Sequence, residues 1–292
     1  MNTIPIYSKK EFKPLENREF IQNVIIDSKF RDNINESSSN FTIKFERPIH
    51  DAIVMKLVAL EIPNSEYTFK NDIIAINMKD NNGNSKLINI YVPNGFYTEN
   101  QFITAINGLL ITDELEMLKF SYDTTIGKIY IGFKTQSEYT SQNYSISNYT
   151  FSISFENTHK MCEKSHFHEI LGFDNNFIEN IENGIFSDKI VNFNEKYYYF
   201  VVDDFTNNKE NTQIGRMIRN IDIKNILARP YIQSEYGKIN YLDISDHFER
   251  VKYYNGPCSI QKLNVKILNK HGEVVDLNNS DISFIVEFQC LR

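Results

Sequence analysis

The chain has 292 residues, 41% of them hydrophobic and 24% charged, the balance of a globular protein long enough to bury a substantial core. Its 31 Lys and Arg against 38 Asp and Glu leave a formal net charge of −7, which argues against a protein whose main task is to coat nucleic acid, since that work needs clustered basic residues. Cys162, Cys258 and Cys290 form an odd set with no CxxC pair, so free thiols in a reducing compartment are expected rather than a disulfide framework.

Residues 1–20 carry Pro5, Pro14 and mixed charges without a period, and read as an extended N-terminal arm with no apolar core of signal-peptide length. Val24 to Asp27 reads as a short strand and Arg31 to Asn40 as a loop, after which Phe41-Thr42-Ile43-Lys44-Phe45 alternates cleanly. Beyond Pro48, Ile53 to Ile62 is apolar on both faces, as a central strand is, and Pro63-Asn64 stops it. Lys56 interrupts that run, which is also far shorter than the roughly 20 residues a bilayer helix needs, so no transmembrane segment is expected.

Strands follow at Ile73 to Met78 and Leu87 to Val92, joined by a turn at Asn82-Gly83-Asn84. Thr98 and Gln101 have capping-box spacing, and Phe102, Ile103, Ile106, Leu109 and Leu110 supply a stripe of helical period. Further strands are expected at 119–122, 128–133 and 149–155, a short helix from Ser165 to Leu171 ended by Gly172, and an aromatic strand at 196–202. Residues 214–229 read as mixed strand and turn. At the C-terminal end Leu263 to Ile267 and Ile282 to Cys290 alternate strictly, with Ile282, Phe284, Val286 and Phe288 on one face. The signal at Asn269-Lys270-His271-Gly272 reads as the hairpin that joins them. About a dozen short strands with few helices describe an all-β sandwich or barrel, not an alternating β/α chain.

The search for chemistry is largely negative. GxxxxGK[ST], GxGxxG and GxSxG are absent. His159, Cys162, His166 and His168 crowd four metal-ligating side chains into ten residues, but no second cluster matches them, and a polar loop with a helix start accounts for them as well. Asp203-Asp204 and Asp243 with Asp246 could be acid–base or calcium pairs, but in a Thr/Asn-rich loop they read first as turn formers and helix caps. Tyr197 to Tyr199 with Tyr253-Tyr254 could stack bases, but on strands in an acidic chain they read first as half-buried sheet surface. No catalytic, cofactor-binding or metal-binding residue is assigned.

Taken in order, Val24-Ile25-Ile26-Asp27-Ser28-Lys29-Phe30-Arg31-Asp32, Phe41-Thr42-Ile43, Glu61-Ile62-Pro63-Asn64-Ser65 and Val92-Pro93-Asn94-Gly95-Phe96-Tyr97-Thr98 form a pattern. It continues through Leu171-Gly172-Phe173, Ile226-Leu227-Ala228-Arg229, Tyr254-Asn255-Gly256-Pro257, Ile260 to Leu263, Gly272, Asp276-Leu277-Asn278-Asn279 and Ser283-Phe284. The order of these blocks, from Val24 to Phe288, resembles virion proteins of large nucleocytoplasmic DNA viruses (giant viruses). The resemblance implies a jelly-roll-type antiparallel β-sandwich with a few inserted helices, acting as a minor capsid or penton-like structural component of the virion. Its partners would be the major capsid protein and other capsid components in a homo- or hetero-oligomer, with no specific nucleic acid, no cofactor and no enzymatic activity. On length, residues 21–292 are read as one enlarged jelly roll, the alternative being two smaller ones in tandem. A carbohydrate- or host-surface-binding β-sandwich module is the alternative function.

Overall fold

The computed structural model describes residues 19–111, 115–135, 137–138, 149–157, 166–191, 193, 196–206, 224–242 and 251–292. The protein is all-β and antiparallel, in several sheets, with short helices inserted. It divides into two compact units, each with its own apolar core: unit 1 comes from the two ends of the chain, up to Asn64 and from Tyr197, and unit 2 from Ser65 to Lys196. Unit 2 is thus inserted between the two halves of unit 1, with its borders at Asn64/Ser65 and Lys196/Tyr197. Of the expected arm, residues 1–18 lie outside the described residues, and Glu19 and Phe20 already belong to a strand.

Unit 1 opens with β1 (Glu19–Asp27) and β2 (Asn40–Pro63). The two strands expected at 41–45 and 53–62 are one strand of 24 residues. It passes Pro48 because the ladder is irregular there: partners are in register through Lys44 and again from Ile49, and a bulge is where a residue without an N–H is tolerated in a sheet.

Unit 2 contains β3 (Asp72–Asp80), β4 (Ser85–Tyr91), α1 (Glu99–Asn107), β5 (Leu118–Asp123), β6 (Lys128–Phe133), β7 (Tyr149–Asn157), α2 (Phe167–Ile170), β8 (Phe177–Ile181) and β9 (Gly184–Phe186). They form one sheet in the order β4-β3-β7-β8 and another in the order β5-β6-β9. The capping box is present: Gln101 N donates to Thr98 Oγ1 and Thr98 N to Gln101 Oε1. At the other end of α1, the Asn107 amide exchanges hydrogen bonds of 2.8 and 2.9 Å with the Phe120 backbone, which docks the helix on β5. Phe69 anchors the core, with the rings of Phe102, Phe193 and Phe167 at 4.7, 5.1 and 5.3 Å. Gly172 follows α2 with φ +82°, and a Cβ there would stand 2.6 Å from Lys189 O, so both conformation and space require glycine. The segment 175–188, which has no sequence period, contains β8 and β9.

The chain returns through β10 (Lys196–Tyr197), β11 (Tyr199–Asp203), β12 (Ile226–Ala228), β13 (Tyr231–Ile232), β14 (Ile239–Leu242), β15 (Val251–Leu268) and β16 (Ser283–Leu291). The large sheet of unit 1 runs β1-β16-β2-β15-β11-β12, with β14 also on β2. The expected C-terminal hairpin is therefore corrected: β15 and β16 do not pair with each other but flank β2, and the turn at 269–272 closes only an isolated bridge, Leu268 to Val274. A strand apolar on both faces belongs at the centre of a sheet, and β2 takes the place between them. The inward face of β16 is as expected, with Ile282, Phe284, Val286, Phe288 and Cys290 all at 0–1% exposure.

Candidate functional site

Two segments about 250 residues apart build one corner of unit 1. Ser28 and Ile282 pair through Ser28 N to Ile282 O and Ile282 N to Ser28 Oγ, both 2.9 Å, and the Ser28 hydroxyl donates on to Asp281 Oδ1 at 2.7 Å. Arg31 then spreads its guanidinium over the loop, donating to the carbonyls of Ser28, Ile34 and Glu36 and meeting Asp281 at 3.4 Å. Ser38 Oγ donates to Ser280 O, Ser39 Oγ to Val275 O, and Thr42 N to Glu36 Oε2. On the other side, Asn278 and Asn279 adopt φ of +49° and +60°, conformations asparagine tolerates better than most residues. Each such bond contributes only about 0.5–1.5 kcal/mol net, but together they leave the 28–40 loop one arrangement.

What this framework holds outward is apolar. Phe30 and Ile34 are each 77% exposed, although the loop that carries them is tied down at almost every polar group. Scattered exposed apolar side chains need no explanation, but two large ones on a pre-ordered loop lose little entropy on docking.

A buried charge cluster in unit 1 joins β15 to the segment after β11. Asp204 accepts from Lys252 Nζ at 2.8 Å and Tyr254 Oη at 2.7 Å on one oxygen, and from Thr206 N and Oγ1 on the other. Burial alone raises the Asp204 carboxyl; the Lys252 ammonium, then hydrogen bonds from Lys252, Thr206 and Tyr254, outweigh it and hold the group down to about 2. Burial, with Asp204 beside them, pushes the Tyr254 hydroxyl up and the Cys258 thiol to about 11, so neither is an activated nucleophile. Both oxygens of Asp204 are engaged and its side chain is fully covered, which makes the cluster an internal tie. It also explains the wide bulge at Tyr254-Asn255-Gly256-Pro257: β15 spends the residues from Tyr253 to Cys258 against Val54 to Ala52 of β2, which carries Tyr254 inward.

The other candidates separate. His159 and Cys162 lie outside the described residues, as do Asp243 and Asp246. His166 and Glu169 form an i,i+3 pair at 3.5 Å on α2. Asp203 is a turn former, its carboxylate accepting from Phe205 N, whereas Asp204 is the buried tie that sequence reasoning missed. The usable signal was strand phase: Lys252 and Tyr254 share a side of β15, and Tyr254 is apolar enough to mark it as inward. Tyr198 is buried in the core; Tyr197 and Tyr199 meet edge to face at 5.6 Å, with the Arg229 guanidinium 3.8 Å over Tyr197. That packing is a half-buried sheet surface, not an open row of stacking platforms. Cys258 and Cys290 are both free thiols.

Fold and surface thus define an all-β, antiparallel protein with an inserted unit and a built corner that displays apolar side chains. No helix among the described residues is long and apolar enough to cross a membrane. No protein-family model matches the chain, and no curated protein does. A solved structure similar to it is the crystal structure of the selenomethionine-labelled mavirus penton protein, with a TM-score of 0.45 and 12% sequence identity over 94% of this chain and 99% of that one.

Proposed function

We propose that this protein is a structural component of a virus particle, a minor capsid or penton-like protein that assembles with the major capsid protein and other shell components in the virion of a large DNA virus. The observation that carries the reading is the corner: blocks 24–32 and 276–284, which supply the resemblance to virion proteins at either end of the chain, converge on one hydrogen-bonded framework. A resemblance spread over distant segments gains weight when those segments meet in space. The framework keeps Phe30 and Ile34 in solvent, where neighbouring subunits would cover them. The role proposed is a non-catalytic one.

Peptide mass spectrometry of purified particles tests the reading. The chain should be present at a fixed ratio to the major capsid protein. A Phe30→Ala/Ile34→Ala variant should fold as the parent does and be incorporated less. Absence of the parent chain from particles would end the proposal, and binding to a glycan array would then favour a surface-binding module.

A further inference from the structure

β1 is the longest edge strand among the described residues, nine residues at the end of the large sheet of unit 1, whereas the opposite edge, β12, has three. Proteins blunt such edges with charge, proline or brevity. β1 has none of these along Phe20-Ile21-Gln22-Asn23-Val24-Ile25-Ile26; its only charges, Glu19 and Asp27, stand at its ends. Asp27 is moreover occupied, accepting from Lys29 N at 2.8 Å as the cap of the short 3-10 turn that follows. One face of β1 packs on the core through Ile26 and Val24, and the other exposes Ile21 at 60% and Ile25 at 74%. Beside Ile25 on that outer face stands Ile285 of β16.

An edge with no partner strand among the described residues is matched by another strand, because its outward amides and carbonyls fit the backbone of a strand and little else. The apolar pattern says which strand. Read in either direction from Asn23, the sequence has Gln22 against Val24, Ile21 against Ile25, and Phe20 against Ile26, so the strand is its own antiparallel complement. We infer that β1 pairs with β1 of a second copy about a two-fold axis at Asn23, joining the two large sheets into one. The pairing sets Ile21 of each chain beside Ile25 of the other on the outer face and Phe20 beside Ile26 on the inner one, both favourable cross-strand pairs. Like charges, Glu19 against Asp27, meet just beyond, which limits the ladder to these seven residues. The contact uses each edge once and so closes at a dimer.

Sedimentation of the full chain from about 1 to 100 µM, the range of weak interfaces of this size, should show a reversible monomer–dimer equilibrium. Ile21→Lys/Ile25→Lys, which alters only exposed side chains, should keep the parent melting temperature and weaken dimerisation by at least roughly tenfold. Asn23→Cys should cross-link to a disulfide dimer under mild oxidant faster than the parent or Ser85→Cys, a control on β4. A parent that is monomeric throughout, a dimer indifferent to the lysines, or cross-linking of Asn23→Cys no faster than the controls would each overturn the inference. Particle incorporation is read separately, so loss of the dimer and loss of the capsid role are distinguishable.

Discussion

Unit 1 buries Asp204 against the Lys252 ammonium, while unit 2 buries Asp72 against two amides, Asn157 Nδ2 at 2.7 Å and Lys70 N at 2.9 Å. The first carboxyl is held down to about 2, and burial pushes the second up to about 6 against the pull of those hydrogen bonds. At Asp72 two neutral donors do not offset desolvation of the carboxylate, whereas at Asp204 a cation in contact does. The same contrast runs through the architecture. Unit 2 is one continuous stretch of chain, with the near-neighbour hairpins β3–β4 and β5–β6 beside the longer-range pair β3–β7. Unit 1 is closed by its far ends, with β16 lying between β1 and β2. Damage to β16 should therefore spread across unit 1, and acid should act on the two units with opposite sign.

The largest effect belongs to Phe284→Asp. Phe284 is 1% exposed on β16 and packs 5.0 Å from the Phe200 ring, so a carboxylate there would be buried without a partner. It should cost several kcal/mol, comparable to a domain's whole stability, and chemical denaturation of the full chain measures it. Next is Lys252→Met, which strands the Asp204 carboxylate and should cost about 3–5 kcal/mol at neutral pH, while Asp204→Leu/Lys252→Met should regain most of the loss. If the single and double variants were equally unstable, the ion pair would not be what organises that bulge.

The pH dependence sharpens the contrast. Asp72 has a raised folded value, so the stability it contributes is complete below about 4 and is lost as pH rises from about 4 to 6. Asp204 has a depressed one, so its contribution is complete above about 4 and is lost as pH falls from there towards 2. Each should amount to about 2–3 kcal/mol. Peptide-resolved hydrogen exchange, corrected for intrinsic rate, should show β3 and β7 more protected at pH 4.5 than at 7.5, and β11 and β15 losing protection only below about 4. Uniform change in both units would break the comparison.

A smaller loss, about 1–3 kcal/mol, is expected from Gly172→Ala, through the left-handed backbone and the approach of Lys189 O. Glu287→Lys, on the outer face of β16, should stay within about 0.5 kcal/mol in thermal melts.

Local rules were legible where their partners were local. Thr98 and Gln101 revealed the start of α1, Gly172 the end of α2, and alternation identified the buried face of β16, because each is decided within a few residues. Partners were not legible where pairing was distant. Alternation in β15 and β16 says which side is inward but not that β2 stands between them, and Pro48 read as a break because the bulge that accommodates it is made by a strand 200 residues away. Asp204 was hidden for the same reason: next to Asp203 it looks like a turn residue, and only Lys252 and Tyr254 make it a core one. The corner was half legible, since its blocks were recognised by resemblance while the bonds between Ser28, Arg31 and Asp281 appear only in three dimensions.

The central claim is that this chain is a shell component whose 28–40 corner meets its neighbours, and a side-chain-resolution density map of the intact particle tests it most directly. The account predicts that the chain is found in the shell with Phe30 and Ile34 covered by an adjacent subunit. A shell without this chain, or one in which both side chains face solvent, would contradict it.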